Sequence, residues 1–351
     1  MRLAIIGSGF GLSGHLPAFM NLPEVQVMSV ADSGSGRARD FLPPGVSYAA
    51  SWQEALSEPV DAVSIVVPPA QHFEIVSEAL NLGKHVFCDK PFGLNLREAE
   101  AMNVKASEHC ECVTAINFQF RFEPGIQELK RQIEIGTLGE LRSVDFSWIT
   151  GGRASPESLW TWRNDLSLGG GVIGAFFSHA ADLIWWLTQK EPLTIFGRSR
   201  ILIDDRPDIS DHRCKVTSED MVTAELICES DVIASFRVSN CQEGGNGMRI
   251  EVSGSNGVMV YRHEPPFKLE SQRLTFRSKD QKREIPISRT YQHINNADSR
   301  IWAIQQSASR FVRRVYGDSH AHQPSFSDGL RTHRVMDGLR RSIVDCKNIL
   351  L

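Results

Sequence analysis

The chain of 351 residues has little of what marks several large classes of protein. It has no excess of positive charge, because 38 Lys and Arg residues stand against 42 Asp and Glu residues, which argues against a general nucleic-acid binder. No run approaches the ~18 consecutive apolar residues that a membrane-spanning helix needs, and the first apolar run is too short for a signal-peptide core. We therefore predict a soluble, cytoplasmic protein that binds neither nucleic acid nor membrane.

The cysteine pattern and the absence of several catalytic motifs exclude further classes of protein. The 7 cysteines are odd in number and scattered, and the closest pair, Cys110 and Cys112, has neither zinc-binding nor redox spacing. The sequence contains no Gly-x-x-x-x-Gly-Lys-Ser/Thr loop, no Gly-x-Ser-x-Gly elbow and no His-Glu-x-x-His helix. We therefore expect neither a disulfide framework nor a metal site.

The first third of the chain alternates short apolar runs with helical segments. At about 150 residues per domain, the length predicts two domains. The pattern of the first domain predicts strands at residues 3–6, 25–31, 62–67 and 86–88 and helices at residues 16–22, 52–56 and 73–82. Strands buried on both faces and separated by helical crossovers indicate a doubly wound α/β domain with a parallel sheet.

The pattern changes after about residue 118, where apolar and polar residues begin to alternate. This alternation predicts strands at residues 141–149, 221–228, 232–238, 249–252 and 258–261, with helices at residues 171–187, 298–315 and 327–343. It indicates a predominantly antiparallel sheet with one covered face. We predict a nucleotide-binding domain over residues 1–118 and an α+β domain over residues 119–351, whose terminal helices can pack back on the first domain.

A glycine-rich turn follows the first predicted strand and has the sequence Gly7-Ser8-Gly9-Phe10-Gly11-Leu12. The first glycine allows a tight turn, the second lets backbone amides approach a pyrophosphate, and the next helix offers its N-terminus to the anion. Leu12 stands where the fingerprint has its third glycine. Asp32 ends the second predicted strand, where a carboxylate can accept hydrogen bonds from both adenosine ribose hydroxyls. We predict a dinucleotide site here; the alternative is an ordinary turn with a surface aspartate.

The residues around Asp32 also bear on the choice between the two dinucleotides. A carboxylate at this position would repel a 2′-phosphate, which favours NAD over NADP. Arg37 and Arg39 follow a few residues later and could bind such a phosphate, although arginines in this setting often only solvate a loop. NAD is therefore the predicted cofactor, and NADP stays open.

Two motifs between residues 60 and 91 are the most distinctive in the sequence. Val67-Pro68-Pro69-Ala70-Gln71-His72 ends one predicted strand, and Gly83-Lys84-His85-Val86-Phe87-Cys88-Asp89-Lys90-Pro91 contains the next. This segment resembles the Gfo/Idh/MocA family of NAD(P)-dependent oxidoreductases, which includes glucose–fructose oxidoreductase, inositol dehydrogenase and MocA. The family has Glu-Lys-Pro where this chain has Asp89-Lys90-Pro91. Further matches at residues 7–15, 121–124, 136–140, 169–182 and 327–330 extend the resemblance over nearly the whole chain.

The resemblance implies a Rossmann domain followed by a domain with a large open sheet, which often mediates dimers or tetramers in this family. It also implies a small carbohydrate-like substrate lying between nicotinamide and sheet. The cofactor residues that the glycine turn and the resemblance together predict are Gly7, Ser8, Gly9, Phe10, Gly11, Leu12, Asp32, Pro68, Pro69, His72, Asp89, Lys90 and Asn117. The predicted catalytic residues are Lys90, His179 and Asp182.

Lys90 follows the last apolar strand of the first domain, at the edge of the sheet where ligands bind. Its ammonium group can hydrogen-bond the reacting oxygen and move the proton that accompanies hydride transfer. In the family, the residue at Asp89 hydrogen-bonds the nicotinamide-side ribose, and the histidine at His179 supports proton transfer. Asp182 lies one turn beyond His179 and can hold a substrate hydroxyl. The alternative for His179 is a histidine that only packs in the core, and the alternative for Asp182 is an acid on the helix surface.

The main departure from the family is Ala175, because active sugar and cyclitol dehydrogenases usually have an aspartate four residues before the histidine. A methyl group can neither accept a proton nor pair with His179. Two hypotheses follow: an oxidoreductase acting on a sugar, sugar derivative or cyclic polyol, or a non-catalytic dinucleotide-binding sensor. Weaker candidates for the substrate pocket are Arg121, Trp162 and Arg163, for which packing is the alternative.

Overall fold

The computed structural model describes residues 1–288 and 299–351, and this part of the chain forms two compact units. Unit 1 comprises Met1–Phe122 and Arg300–His333, and unit 2 comprises Glu123–Ser299 and Arg334–Leu351. The chain therefore leaves unit 1 once, returns to it through a C-terminal segment and ends in unit 2. The predicted helix at residues 298–315 begins at a residue that lies outside the described residues.

The described residues form the following strands and helices. The strands are β1 (Arg2–Ile6), β2 (Gln26–Ala31), β3 (Ser47–Ala49), β4 (Ala62–Ile65), β5 (His85–Cys88), β6 (Thr114–Ile116), β7 (Leu141–Ile149), β8 (Pro192–Arg200), β9 (Asp205–Pro207), β10 (Arg213–Lys215), β11 (Met221–Cys228), β12 (Ile233–Ser239), β13 (Gly247–Gly254), β14 (Gly257–His263), β15 (Gln272–Arg277), β16 (Lys282–Glu284) and β17 (Ile349–Leu350). The helices are α1 (Leu16–Met20), α2 (Trp52–Ser57), α3 (His72–Asn81), α4 (Leu96–Glu108), α5 (Pro124–Glu134), α6 (Ser178–Thr188), α7 (Ser299–Val315) and α8 (Phe326–Asp345).

Unit 1 is built on a parallel sheet with the strand order β3-β2-β1-β4-β5-β6. Apolar side chains cover both faces, because every residue of β4 is buried and β1 is buried from Leu3 onward. One face packs on α2, α3 and α4, for example through Val76 and Met102. The other packs on α1 and α7 through Phe19 and Phe311. The doubly wound fold predicted from the sequence is confirmed.

Unit 2 is built on a nine-stranded sheet with the order β16-β15-β14-β13-β7-β12-β11-β8-β17. All described neighbours are antiparallel except β7 and β12, which run parallel. The predicted strand at residues 141–149 is β7, and Val144 and Phe146 are buried on its covered side. The predominantly antiparallel sheet predicted from the sequence is confirmed, with one parallel pair at its centre.

Helix α6 covers the middle of this sheet and follows one turn of π-helix, Ile173–Phe177. Phe177 packs on Phe236 of β12 with their ring centroids 4.9 Å apart, and Phe236 in turn lies 6.3 Å from Phe146 of β7. The segment Leu166–Thr188 is long and apolar enough to cross a membrane, but 78% of its apolar window is buried inside the protein. Most of this segment, including α6, therefore belongs to the core of unit 2.

We expect Phe236→Ala to destabilise unit 2, because Phe236 links α6 to two central strands and is only 4% exposed. Truncating a buried phenylalanine costs about 3–5 kcal/mol in free energy of unfolding through lost burial and an unfilled cavity. Urea denaturation followed by tryptophan fluorescence measures it. Ile209→Ala in the same unit is the control, because Ile209 is 93% exposed and its truncation should change stability by less than about 0.5 kcal/mol. Equal losses in the two variants would contradict this packing.

Candidate active site

The glycine loop begins where β1 ends, and its first residue, Gly7, permits a close approach of two backbone segments. Gly7 has a φ of +121°, and a Cβ atom there would overlap the carbonyl oxygen of Val66, which follows β4. Its amide donates a hydrogen bond of 2.9 Å to the carbonyl of Ala31 at the end of β2. Only glycine fits both the φ angle and the space, so this residue fixes the turn over the sheet edge.

The second glycine of the loop lies in open space. A Cβ atom at Gly9 would meet nothing within 4 Å, whereas one at Gly11 would lie 3.2 Å from the side chain of Ile5. The chain then forms one turn of π-helix, Gly11–His15, before the short helix α1. Ser8, Phe10 and Leu12 are half-buried. Gly9 is therefore exposed, and the space beside it is free of protein atoms. An anion could approach the backbone there.

Asp32 lies at the end of β2 and accepts four hydrogen bonds, three from its own loop and one from Tyr48 of β3. Its carboxylate oxygens accept from Tyr48 Oη at 2.8 Å, Gly34 N at 2.8 Å, Ser35 Oγ at 3.0 Å and Ala38 N at 3.3 Å. Burial raises the pKa of Asp32, but these hydrogen bonds outweigh burial and hold its pKa below the ordinary value. The side chain is therefore an ionised acceptor that orders the loop after β2.

Asp89 and Asn117 follow neighbouring strands, β5 and β6, and meet at the same edge of the sheet. The Nδ2 group of Asn117 donates to Asp89 Oδ1 at 3.2 Å, and the Asn117 amide N–H donates to the Cys88 carbonyl at 2.8 Å. Asp89 is 9% exposed and Lys90 is half-buried. The Lys90–Pro91 peptide bond is cis. The predicted ribose acid and the predicted catalytic lysine are thus adjacent at the carboxyl ends of the strands.

His72, at the start of α3, lies inside unit 1 below this turn. Its Nε2 atom is 2.9 Å from the carbonyl of Val67 and its Nδ1 atom is 3.2 Å from the carbonyl of Phe92. Burial lowers the pKa of His72, although Asp89 and nearby carbonyls partly oppose this. His72 therefore joins two strand-end loops, and Pro68 and Pro69 lie in the first of them. The predicted contact of these residues with a cofactor stays a prediction.

In unit 2, His179 and Asp182 both lie on α6 and are each 2% exposed. Trp148 of β7 contacts the beginning of this helix, with its ring centroid 4.2 Å from that of Phe176 and 6.1 Å from that of His179. Ala175 is half-buried beside them. The surroundings of His179 on this side are therefore aromatic, where the family usually supplies a carboxylate.

The three weaker substrate candidates have different surroundings. Arg121 is buried and forms an ion pair of 3.2 Å with Asp328 of α8. Arg163 is exposed, and its guanidinium carbon lies 4.8 Å from the ring centroid of the half-buried Trp162. Arg121 thus holds the returning C-terminal segment in unit 1, whereas Trp162 and Arg163 form a stacked pair at the surface of unit 2. Their contact with a substrate remains a prediction.

The structure brings the predicted residues together as two groups. The glycine loop, Asp32, the strand-end prolines, Asp89, Lys90 and Asn117 lie at the carboxyl edge of the parallel sheet in unit 1. His179 and Asp182 form the second group, on α6 of unit 2. Among the described residues, no cluster of three or more His, Cys, Asp or Glu side chains could hold a metal ion. The first group offers an exposed glycine at Gly9 and the carboxylates of Asp32 and Asp89, the kinds of group that recognise a dinucleotide.

Family models match both parts of the chain. Residues 1–117 match an oxidoreductase family with an NAD-binding Rossmann fold, and residues 126–260 match the GFO/IDH/MocA C-terminal domain. The first match covers the glycine loop, Asp32, Asp89 and Lys90. The second covers His179 and Asp182.

Curated relatives and solved structures agree with these matches. An uncharacterized oxidoreductase of Synechocystis sp. is 31% identical over 74% of this chain and 71% of its own. Inositol 2-dehydrogenase of Rhizobium meliloti is 23% identical over 99% of this chain and 98% of its own. A levoglucosan dehydrogenase solved with NADH and L-sorbose superposes with a TM-score of 0.87 at 21% identity, over 100% of this chain and 98% of that one.

We expect Gly9→Val to weaken NADH binding without unfolding the protein, because the space beside Gly9 is free of protein atoms but needed by a pyrophosphate. Gly7→Ala is the matched comparison and should lower the melting temperature, because its Cβ atom would overlap the Val66 carbonyl. Calorimetric titration with NADH and thermal melting of both variants measure this. Unchanged NADH affinity in a folded Gly9→Val protein would contradict the loop assignment.

Proposed function

Because the chain belongs to the Gfo/Idh/MocA family of oxidoreductases, we propose that it transfers a hydride between NAD and a carbon atom of a sugar or cyclic polyol. The reacting carbon carries a hydroxyl or a carbonyl group. The chain is an NAD-dependent oxidoreductase with the family's NAD-binding Rossmann domain. The observation that carries the proposal is the shared sheet edge at which the open glycine loop, Asp32, Asp89 and Lys90 lie.

The residues present fit a dinucleotide. Gly9 leaves room for the pyrophosphate, and the buried, ionised Asp32 offers acceptors for the adenosine ribose hydroxyls. Asp89, held by Asn117, offers an acceptor for the second ribose. Bound NAD supplies or accepts the hydride. The protein's own contribution is to hold the two riboses and to manage the proton that accompanies the hydride.

The names of the relatives support the substrate class. They include inositol dehydrogenases, a levoglucosan dehydrogenase and a glucose-6-phosphate 3-dehydrogenase, all of which act on ring compounds that carry hydroxyl groups. We extend that class to this chain without choosing one compound. A non-catalytic sensor is not favoured, because the inositol, levoglucosan and glucose-6-phosphate relatives are all named as dehydrogenases. The cytoplasmic location and the dimer or tetramer expected from the sequence remain proposals.

We assign the proton transfer to Lys90. A lysine ammonium beside the reacting oxygen can donate a hydrogen bond to it and stabilise the negative charge that develops there. The sequence places Lys90 directly after Asp89, the acid assigned to the nicotinamide-side ribose, so the lysine is near the reacting end of the cofactor. His179 and Asp182 are proposed to contact the substrate from α6. Since Ala175 cannot supply a carboxylate to His179, the histidine is a weaker acid–base group than the lysine.

We expect the protein to bind NADH more tightly than NADPH. The Asp32 carboxylate is ionised and buried, so a 2′-phosphate would face both charge repulsion and the loss of the ribose hydroxyl contact. Calorimetric titration with both cofactors measures the ratio. Asp32→Ala should reduce the preference, whereas Arg37→Ala serves as a comparison that keeps the acid. Tighter binding of NADPH by the wild type would show that Arg37 or Arg39 has taken over recognition of the ribose.

Lys90→Ala should lower kcat/KM by about 100- to 10,000-fold, the usual contribution of a general acid–base group. We expect His179→Ala to cost at least ~10-fold less, because no carboxylate at position 175 supports the histidine. The substrate is first found by screening polyols and carbonyl sugars with NAD and NADH. Equal losses in the two variants would contradict the assignment to Lys90. Absence of turnover by a wild type that binds NADH tightly would contradict the enzymatic function itself.

A further inference from the structure

His15 is a fully buried histidine at the end of the glycine loop. Its Nδ1 atom lies 2.8 Å from the hydroxyl oxygen of Ser64 on β4, and its Nε2 atom lies 3.3 Å from Asn117 Nδ2. The imidazole ring also lies edge-on to the rings of Phe10 and Phe87, with centroids 5.6 and 5.7 Å away. In such surroundings an apolar ring would pack equally well, so the two nitrogen contacts distinguish this residue from a packing residue.

The hydrogen-bond roles along this contact follow from the chemistry of the groups. The amide nitrogen of Asn117 only donates, and it donates to Asp89 Oδ1 at 3.2 Å. The reverse amide orientation would place two oxygen acceptors against each other, so Asp89 fixes the orientation of Asn117. The Nε2 atom of His15 must then accept the other Asn117 hydrogen, and its Nδ1–H donates to Ser64. Burial lowers the pKa of His15, partly opposed by Asp89, which agrees with a neutral ring.

These contacts form a continuous polar chain from Ser64 through His15 and Asn117 to Asp89. Ser64, His15 and Asn117 are 0% exposed and Asp89 is 9% exposed. Hydrogen bonds in an interior that excludes water are strong. Removing one partner leaves a buried donor or acceptor of its neighbour without a hydrogen bond, which is costly. This polar chain starts at Ser64 of β4, passes the end of the glycine loop at His15 and ends on the Asp89 carboxylate, next to Lys90.

We propose that His15 is a positioning residue that orients the Asp89 carboxylate through Asn117 and so links the glycine loop to the binding of the nicotinamide-side ribose. The inference rests on the proposed function, in which Asp89 accepts hydrogen bonds from that ribose. His15 itself is 0% exposed beneath the loop, so it reaches the Asp89 carboxylate only through Asn117. Its effect on the cofactor is therefore confined to the nicotinamide half.

The test compares binding of NADH with binding of ADP, which carries the adenosine and both phosphates but lacks the nicotinamide-side ribose. His15→Phe keeps the ring among its aromatic neighbours and removes both nitrogen atoms. The hydrogen bond of Asn117 to the Asp89 carboxylate is one to a charged group, and such a bond is worth roughly tenfold or more in affinity. We therefore expect His15→Phe to weaken NADH binding by about 10-fold. ADP binding should change by less than about twofold, because the loop and Asp32 stay in place. An equal loss for both ligands would show that His15 only shapes the loop, and would overturn the proposal.

A double-mutant cycle identifies the route through Asp89. We expect Asp89→Ala alone to weaken NADH binding and the double variant, His15→Phe with Asp89→Ala, to bind NADH as Asp89→Ala does. Additive losses would overturn the proposal. If Asp89→Ala leaves NADH affinity unchanged, the ribose assignment under the proposed function fails, and the inference fails with it. If Asp89→Ala weakens NADH binding and His15→Phe does not, the inference about His15 is overturned and the ribose assignment of the proposed function stands.

Two further variants distinguish a specific effect of His15 from a general loss of structure. His85→Phe removes another histidine of unit 1, whose Nδ1 atom accepts from the Val113 amide at 2.9 Å and which lies at the first residue of β5, at the opposite end of that strand from Asp89. It should leave the affinities for NADH and ADP unchanged. His15→Gln retains an acceptor for the Asn117 amide and should recover part of the NADH affinity lost in His15→Phe. Absence of any recovery in a Gln variant that melts like the wild type would overturn the proposal.

Discussion

The close approach of the Gly7 backbone to the Val66 carbonyl is the constraint on which unit 1 depends. Neighbouring strands β1 and β4 bring Ile6 opposite Ile65, and the Val66 amide donates to the Ile6 carbonyl at 2.7 Å. The chain can turn across this edge only if the next residue has no side chain and accepts a positive φ. That turn leaves Gly9 open to an anion and carries His15 beneath the loop, so cofactor recognition and the buried polar chain share one origin.

The fold of both units was largely predictable because burial leaves a strong pattern in the sequence. Strand β7 has the predicted bounds, since its covered face alternates with its open face. Helix α4 was missed because it is rich in charged and small residues, although Asn95 accepts from the Glu98 amide at 3.0 Å and is a start signal visible in the sequence. The π-turns before α1 and α6 were not predictable, because apolar spacing indicates which side chains share a face and says little about hydrogen-bond register.

The candidate site was predictable residue by residue but not in its connections. Local motifs place Asp32 and Asp89 at strand ends, and topology brings those ends to one edge of the sheet. The partners of buried polar groups come from distant parts of the chain, as when Arg121 pairs with Asp328 or His15 meets Ser64. Which groups become partners depends on how the chain packs in three dimensions. The spacing of residues along the sequence does not indicate this packing. The contacts of His15 with Ser64 and Asn117 are of this kind, so the local glycine motif does not indicate them.

The two groups of site residues differ in the kind of environment they offer. Unit 1 holds its carboxylates with hydrogen bonds: four on Asp32, and one from Asn117 on Asp89. Unit 2 surrounds the start of α6 with the rings of Trp148 and Phe176, and it has a methyl group at Ala175. Under the proposed function, His179 contacts the substrate from α6, and the charge that develops on the reacting oxygen is assigned to Lys90. The loss of the family aspartate is thus compatible with hydride transfer, provided that the lysine carries the proton.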